Sequence, residues 1–501
     1  MTSERLTDIS LLRLSEFVAR TVGLHFPRDR WCDLERGVVA ASREFDFRDA
    51  SACSEWLTTA PLTRKQIEIL ASHLTVGETY FFRDPRMFQL LEEEILPLLI
   101  QSRRQADRRL RIWSAGCATG EEAYSVALLL RRLLPDLASW RLTILATDIN
   151  PRFLQKARQG IYTPWSFREC LGPDIEAQFE RLSEGKLRVA SRIRELVQFE
   201  YLNLAEDAYP SLLTNTNAMD LILCRNVLMY FSCEQARKAA AKLHRSLVEG
   251  GWLLVSPSES SHELFSPFVT VSFPGAIVYR KDPCQAPPAA WMTIQEPEPV
   301  ESKAVITCEP IAIPDLVAPP IEESSVPPPG NPVEEEETKA GSTAYQNALA
   351  LSDRGHYAEA AEILLAYLGA NPAHADAMVL LARALANQGR LEEAREWCEK
   401  AIAINKICAP FHYLRATILQ EQGEETEAAA ALGRALYLDP DFILVHVALG
   451  HLRRRQGSPD DSRKHFANAL SLLRQRRTDE LVPEGEGRTS GRLAEIIEAT
   501  A

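Results

Sequence analysis

Gly116 and Gly120 stand four residues apart, and Glu121 and Glu122 follow at once, in the stretch "WSAGCATGEEAYSVALLL" from Trp113 to Leu130. An apolar approach (Leu110, Ile112, Trp113) leads into the glycines, and a helix-period apolar run leaves the acids. Strand, glycine turn and helix make a nucleotide-binding corner, because glycine lets the backbone bend tightly and lets a ligand approach it. A dinucleotide corner reads G-x-G-x-x-G and receives pyrophosphate on the helix N-terminus, where two carboxylates would repel it. A ligand with an adenosine and a cationic centre but no phosphate fits better. S-adenosylmethionine, with its sulfonium and ammonium groups, is such a ligand.

Three further stretches carry candidate site residues. "LTILATDIN" places Asp148 just past a second strand, where an acid can accept hydrogen bonds from both ribose hydroxyls. The same residue could instead cap the helix that begins near Pro151. Asn203-Leu204 and "CRNVLMYF", with Asn226, Val227 and Tyr230, also follow strand candidates. In open sheets ligands bind beyond the carboxyl ends of strands, so these turns surround one crevice; singly, each residue also reads as a turn former.

The elements that must position them emerge from composition and periodicity. A chain of 501 residues is too long for one core, and two to four domains are expected. A formal net charge of -13 argues against general nucleic-acid binding, which needs a basic face. The sequence has no apolar run long enough for a membrane span and no signal-peptide core, so a cytoplasmic protein is expected. Ten cysteines without a C-x-x-C pair read as reduced thiols rather than metal ligands or disulfides.

Residues 1–85 read as helices. Over 86–283, helices alternate with strand candidates "LRIWSAG", "LTILATDI", "VQFEYLNL", "MDLILCRN" and "GWLLVSPSE", then a hairpin across Pro274-Gly275. Residues 284–341 are proline-rich, with the acidic run Glu334 to Glu337, and read as a disordered linker; such a chain spans roughly 40 Å root-mean-square. From 342 to 475 a repeat appears. Gly355, Gly389, Gly423 and Gly457 keep a step of 34 residues, as do Ala360, Ala394, Ala428 and Ser462. Ala348, Ala382, Ala416 and Gly450 keep it too. Three to four copies of helix, glycine turn and helix resemble the tetratricopeptide repeat, which implies a solenoid that binds a protein or peptide. The tail, 476–501, reads as loosely ordered.

"ETYFFRDPRMF", "WSAGCATGEEAYSVALLL", "ATDIN", "GIY", "LNL" and "CRNVLMYF" occur in the order found in the CheR family of chemoreceptor glutamate methyltransferases, which residues 1–283 resemble. The resemblance implies an N-terminal all-α domain joined to an α/β class I (Rossmann-like) methyltransferase sheet. It also implies S-adenosylmethionine as cofactor and a methyl-accepting receptor, through its cytoplasmic helical region, as partner. By it, Thr79 and Arg83 touch the cofactor from the junction segment, and Gly116, Glu121 and Glu122 lie in the cofactor corner. Asp148 holds the ribose, Asn203 and Leu204 flank the adenine, and Asn226 and Val227 reach the methionine end. Tyr230 lies near the transferred methyl.

A carboxylate acceptor is already anionic at neutral pH and needs no general base, so alignment and desolvation are the enzyme's task. Arg83 is placed to orient that carboxylate, or else to pair with Asp84 or a neighbouring acid; Tyr230 is placed to steady it, or else to fill a core between Met229 and Phe231. Two departures weaken docking on a receptor. "RLSEGKLRVASRI" is short for the glycine-rich loop that grips a receptor tail peptide, and "RWCDLERGVVAASREF" mixes Arg30, Arg36 and Arg43 with Asp33, Glu35 and Glu44. The repeats are therefore expected to recruit a partner on a loose tether, with restraint of the active site as the alternative. A repeat scaffold, or a methyltransferase of this fold acting on another protein or a small molecule, remains the rival reading.

Overall fold

A computed structural model describes residues 6–168, 172–212, 214–281, 333–485 and 488–500. Four helices open the chain: α1 (Asp8–Thr21), α2 (Trp31–Glu44), α3 (Ala50–Thr59) and α4 (Arg64–Leu74). The starts of α1, α3 and α4 are fixed by side-chain caps. Thr7 accepts from Ser10 N, Asp49 from Ser51 N and Ala52 N, and Thr63 with Gln66 closes a reciprocal capping box. Leu14, Val18, Leu34, Val38, Leu57 and Leu70 fill the bundle core. Glu44 binds His73 of α4 and Arg152, which ties the bundle to the rest of the catalytic part.

The junction segment runs into α5 (Pro85–Leu90), a π turn (Leu91–Ile95) and α6 (Leu96–Arg104). The sheet region follows: β1 (Arg109–Ala115), α7 (Glu121–Leu133), β2 (Arg141–Asp148), α8 (Pro151–Gln159), β3 (Ile161–Tyr162), α9 (Pro173–Glu176), β4 (Phe179–Arg181), β5 (Leu187–Val189), α10 (Ser191–Arg194), β6 (Val197–Tyr201), β7 (Met219–Leu223), α11 (Cys233–Ser246), β8 (Leu247–Leu254), β9 (Val269–Phe273) and β10 (Ala276–Arg280). Among the described residues the main sheet has the order β6-β2-β1-β7-β8-β10-β9. Its first five strands are parallel, and β9 and β10 form the expected antiparallel hairpin. β1 and β7 are buried along their whole length, as strands covered on both faces must be. The order turns at β1, with β2 on one side and β7 on the other, and a ligand crevice opens at such a switch point. β3, β5 and β4 form a separate small antiparallel sheet, with a tight turn at Ser183–Gly185.

The repeats are four helix pairs: α12 (Val333–Asp353) with α13 (Tyr357–Ala370), α14 (Ala375–Asn387) with α15 (Leu391–Ile404), α16 (Ala409–Glu421) with α17 (Glu425–Leu438), and α18 (Ile443–Arg455) with α19 (Pro459–Arg474). The four turn glycines all have φ between 74° and 79°, a conformation that other residues rarely adopt, which explains their register. Ala360, Ala394 and Ala428 are fully buried where paired helices touch. In the last copy a Cβ on Gly450 would lie 2.6 Å from the Phe466 ring, so phenylalanine fills what alanine leaves elsewhere.

Residues 284–332 of the linker lie outside the described residues. Two expectations are corrected here. The tail is not loose: it ends in α20 (Ser490–Thr500), with Leu493 and Ile497 buried. Nor are the repeats loosely tethered. Their turns face the starting ends of the sheet strands: a Cβ on Gly389 would lie 3.2 Å from Ala218, and one on Gly423 3.3 Å from Arg141. Glu421 accepts from Arg109 at 2.5 Å and from Arg111 at 2.9 Å, and Arg141 donates to the Gln422 carbonyl. Burial alone would raise the Glu421 carboxyl, but Arg111 and Arg109 hold it below its ordinary range.

Candidate active site

A cleft of about 990 Å³, counting its open mouth, lies between the helical bundle and the carboxyl ends of the parallel strands. It is on the side of the sheet away from the docked repeat turns. Gly116 ends β1 with φ at 79°, and a Cβ there would lie 2.4 Å from Val227 Cγ2. Its N–H and that of Cys117 donate to Thr147 O, which lashes the turn to β2. Gly120 serves packing instead: a Cβ on it would meet Ala157 at 2.8 Å.

The two acids after the glycines part company. Glu122 lines the cleft, accepts from Ser114 Oγ at 2.7 Å and pairs with Arg225 at 3.1 Å. Glu121 does not line it. It is buried on the other side, accepting from Thr119 Oγ1 at 2.6 Å and Ser166 Oγ at 3.1 Å. Successive helical residues point about 100° apart, so only one of the pair can face the cleft. Glu121, expected in the cofactor corner, sits in the structure as a strut that joins the corner to the Thr163–Arg168 segment.

Asp148 lines the cleft and takes the Ala118 N–H at 2.9 Å and the Asn150 N–H at 2.8 Å. Burial pushes its carboxyl up to about 6, against the backbone N–H groups of Asn150, Ala118 and Ile149, which favour the charged form. The capping alternative goes to Asn150, whose side chain accepts from Arg152 N and Phe153 N. Asn203 and Leu204 also line the cleft; Asn203 donates to Thr21 O at 2.7 Å and to Glu206 at 3.2 Å, so it joins the bundle to the sheet as well.

Thr79, Arg83, Asn226, Val227 and Tyr230 complete the walls. Arg83 does not pair with Asp84 as its alternative reading had it. Its guanidinium donates to Glu78 O at 2.7 Å, while Asp84 faces Arg225 at 3.5 Å. Tyr230 is half-buried at the cleft wall rather than enclosed in a core, and Arg30 Cζ lies 5.8 Å from its ring centroid. The junction segment is held by aromatic packing: Phe81 stacks on Phe167 at 4.7 Å and meets Phe179 edge-on at 5.3 Å.

Three residues of consequence were not singled out from sequence as part of the site. Arg225 is buried and bridges Glu122, Asp84 and the Arg83 carbonyl, so it connects the glycine corner to the junction segment. Glu259 accepts the N–H groups of Asn226 at 2.6 Å, Val227 at 2.7 Å and Met229 at 3.2 Å. It thereby holds the loop that carries Tyr230, with Asn226 at φ 57°. Its signal was legible: Ser256 and Glu259 form a capping box, S-x-x-E. Arg30 reaches the cleft from the start of α2.

The cleft fits S-adenosylmethionine on its own residues. The first turn of α7 already bears Glu121 and Glu122, where a phosphate ligand would need bare N–H groups. Acids (Glu78, Glu122, Asp148) alternate with apolar wall (Ile149, Leu204, Val227), which suits an adenosine with a cationic end. A parallel sheet with its switch-point crevice and this acid-lined glycine corner defines an S-adenosylmethionine-dependent methyltransferase. Residues 77–274 match the model of the CheR methyltransferase, SAM binding domain, and residues 345–407 and 409–442 match tetratricopeptide repeat models. The Cher3 protein of Pseudomonas putida is 35% identical over 267 residues, covering 52% of this chain and 92% of that one. Chemotaxis protein methyltransferase 1 of Pseudomonas aeruginosa is 34% identical over 218 residues, 42% and 77% of the two chains. Chemotaxis protein methyltransferase 2 of Vibrio cholerae is 29% identical over 276 residues, 55% and 94%. The chain belongs to the CheR methyltransferase family. Among the described residues no helix is long and apolar enough to cross a membrane.

Proposed function

We propose that the chain esterifies glutamate side chains on the helical region of a methyl-accepting, receptor-like protein in a chemosensory pathway. The observation that carries this reading is that Arg30 and Arg83 line the cleft with Tyr230 and pair with none of its acids, whereas the third lining arginine, the buried Arg225, is taken up by Glu122 and Asp84. Bound S-adenosylmethionine supplies an electrophilic methyl group. Asp148 serves the ribose, Asn203 and Leu204 the adenine, and Thr79, Gly116, Glu122, Asn226 and Val227 the rest of the cofactor. Arg83 takes the acceptor carboxylate in a bidentate grip, and the Tyr230 hydroxyl donates to it, fixing the attacking oxygen in line. The acceptor oxygen carries its charge before it arrives, so no proton has to be removed. Exposed Val76, Trp165 and Met229 around the junction and the loop offer apolar footing for a protein acceptor.

Incubation with methyl-labelled cofactor and candidate receptor proteins tests the reading. Label that leaves as methanol in mild alkali supports a carboxyl ester. Label that survives alkali points to a nitrogen acceptor and to another substrate.

A further inference from the structure

The turn from Asn203 to Asp207, just beyond β6, is gripped from behind by a buried cation. α11 buries a face of small and apolar residues, Ala236, Ala239, Ala240 and Leu243, and Lys242 is buried with them. An ammonium in such a place needs oxygen partners, because a buried charge without them is costly. It finds them in the turn: the Glu206 carbonyl at 2.6 Å, that of Leu204 at 3.3 Å and that of Ala205 at 3.5 Å, with the exposed Asp207 carboxylate at 3.3 Å. Burial pushes the Lys242 ammonium below its ordinary range, and Asp207 opposes the shift. The Tyr209 hydroxyl also donates to Leu204 O, at 3.0 Å, and the ammonium lies 4.7 Å from the Tyr209 ring centroid.

The N–H and C=O of a trans peptide point opposite ways, so carbonyls gathered on Lys242 turn their N–H groups to the other side. Asn203 takes two of these. The Ala205 N–H donates to Asn203 Oδ1 at 3.0 Å, and the Glu206 N–H donates to Asn203 O at 3.1 Å. Lys242 and Asn203 thus fix the peptide planes of the turn from its two sides. The turn is also set against the acid of the cleft, since the Leu202 N–H donates to Asp148 O at 3.2 Å. Asn203, Leu204 and Asp148 line the cleft, whereas Lys242 does not.

We propose that Lys242 is a positioning residue for base selection: by gathering the Leu204, Ala205 and Glu206 carbonyls it fixes the turn of Asn203 and Leu204, so that the cleft takes adenine and refuses a base of the same shape with the opposite hydrogen-bonding edge. Adenine presents an acceptor nitrogen beside an amino group; hypoxanthine presents an N–H beside a carbonyl. A turn whose peptide planes are held tells the two apart, because the wrong base leaves polar groups unpaired. A turn free to flip its peptides offers an N–H to one and a carbonyl to the other, and accepts both. The role presupposes that the adenine lies against Asn203 and Leu204, as the proposed function has it.

The test compares the dissociation constants of S-adenosylhomocysteine and its inosine counterpart for the full chain and for Lys242→Met, which keeps an unbranched side chain and removes the charge. The parent should prefer the adenine form by at least about tenfold and the variant by less than about threefold, with most of the preference restored in Lys242→Arg. A merely structural lysine would lower the unfolding midpoint and weaken both ligands alike, so an unchanged ratio in a folded Lys242→Met chain overturns the proposal. A parent that binds the two forms equally overturns the adenine assignment itself, and the role of Lys242 falls with it. Should Lys242→Met fail to fold, Tyr209→Phe removes a neutral donor from the same Leu204 carbonyl and should lower the ratio in the same direction; no change there overturns the proposal. No acceptor protein enters these measurements, so their result is independent of the glutamate reading.

Discussion

At Asp148 the chain keeps a carboxylate where burial works against its charge. A carboxyl raised to about 6 adds stability that is fully present below its ordinary value near 4 and lost as pH rises through about 6. The cofactor-free protein thus gives up stability at neutral pH to hold an acceptor in the cleft. Asp148→Ala should weaken cofactor binding at least about tenfold in a calorimetric titration, since one charge-assisted hydrogen bond is worth about 1.5–3 kcal/mol. Parent affinity should fall as pH is lowered through about 6, and the variant's should stay flat over the same range. A flat parent profile would remove Asp148 from the ribose role. The glycines and Asp148 were legible in sequence because their chemistry is tied to strand ends. The division between Glu121 and Glu122 was not, because helix phase relative to the cleft is set by packing rather than by adjacency.

The loop from Asn226 to Tyr230 shows how an element is aimed. Three N–H groups of this loop, those of Asn226, Val227 and Met229, fall on the single carboxylate of Glu259. Glu259→Gln puts an amide where a charged acceptor stood and should cut kcat by about ten- to a hundredfold, from a loss of about 1.5–3 kcal/mol. The KM for cofactor should move less than kcat, and Glu259→Asp should recover part of the rate. Equal losses in both variants together with a collapsed melting transition would make Glu259 merely structural. The strands of the main sheet and the hairpin followed from periodicity and turn signals. The partners of Arg225 and Glu259 did not, because they sit across long loops from what they hold.

For the whole molecule, 34-residue glycine spacing disclosed the repeats but not where they sit. A clue was present in β1: arginines at 109 and 111 in a strand buried at every position require partners, and their shared carboxylate, Glu421, comes from a helix 310 residues away, while Asn215 and Asn217 take the rest of Arg111. Glu421→Ala leaves both guanidiniums without that partner and should destabilise the docked form by about 3–5 kcal/mol, read as a lower unfolding midpoint and as faster hydrogen exchange in β1 and α16. Parent-like exchange at both elements would show that the array is not held there. The tail was unreadable for a different reason: an 11-residue helix has no stability of its own to announce it. The arrangement also separates two jobs, since the repeats grip the sheet at its strand starts while the cleft opens at the strand ends. The proposed methylation of carboxylates at this cleft is tested most directly by mass spectrometry of a receptor treated with the full-length enzyme and cofactor. One added methyl is expected on glutamate residues of the receptor's helical region, removed by mild alkali and missing when Asp148→Ala enzyme is used at limiting cofactor; a methyl mapped to lysine, arginine or a backbone amine and stable to alkali would contradict it.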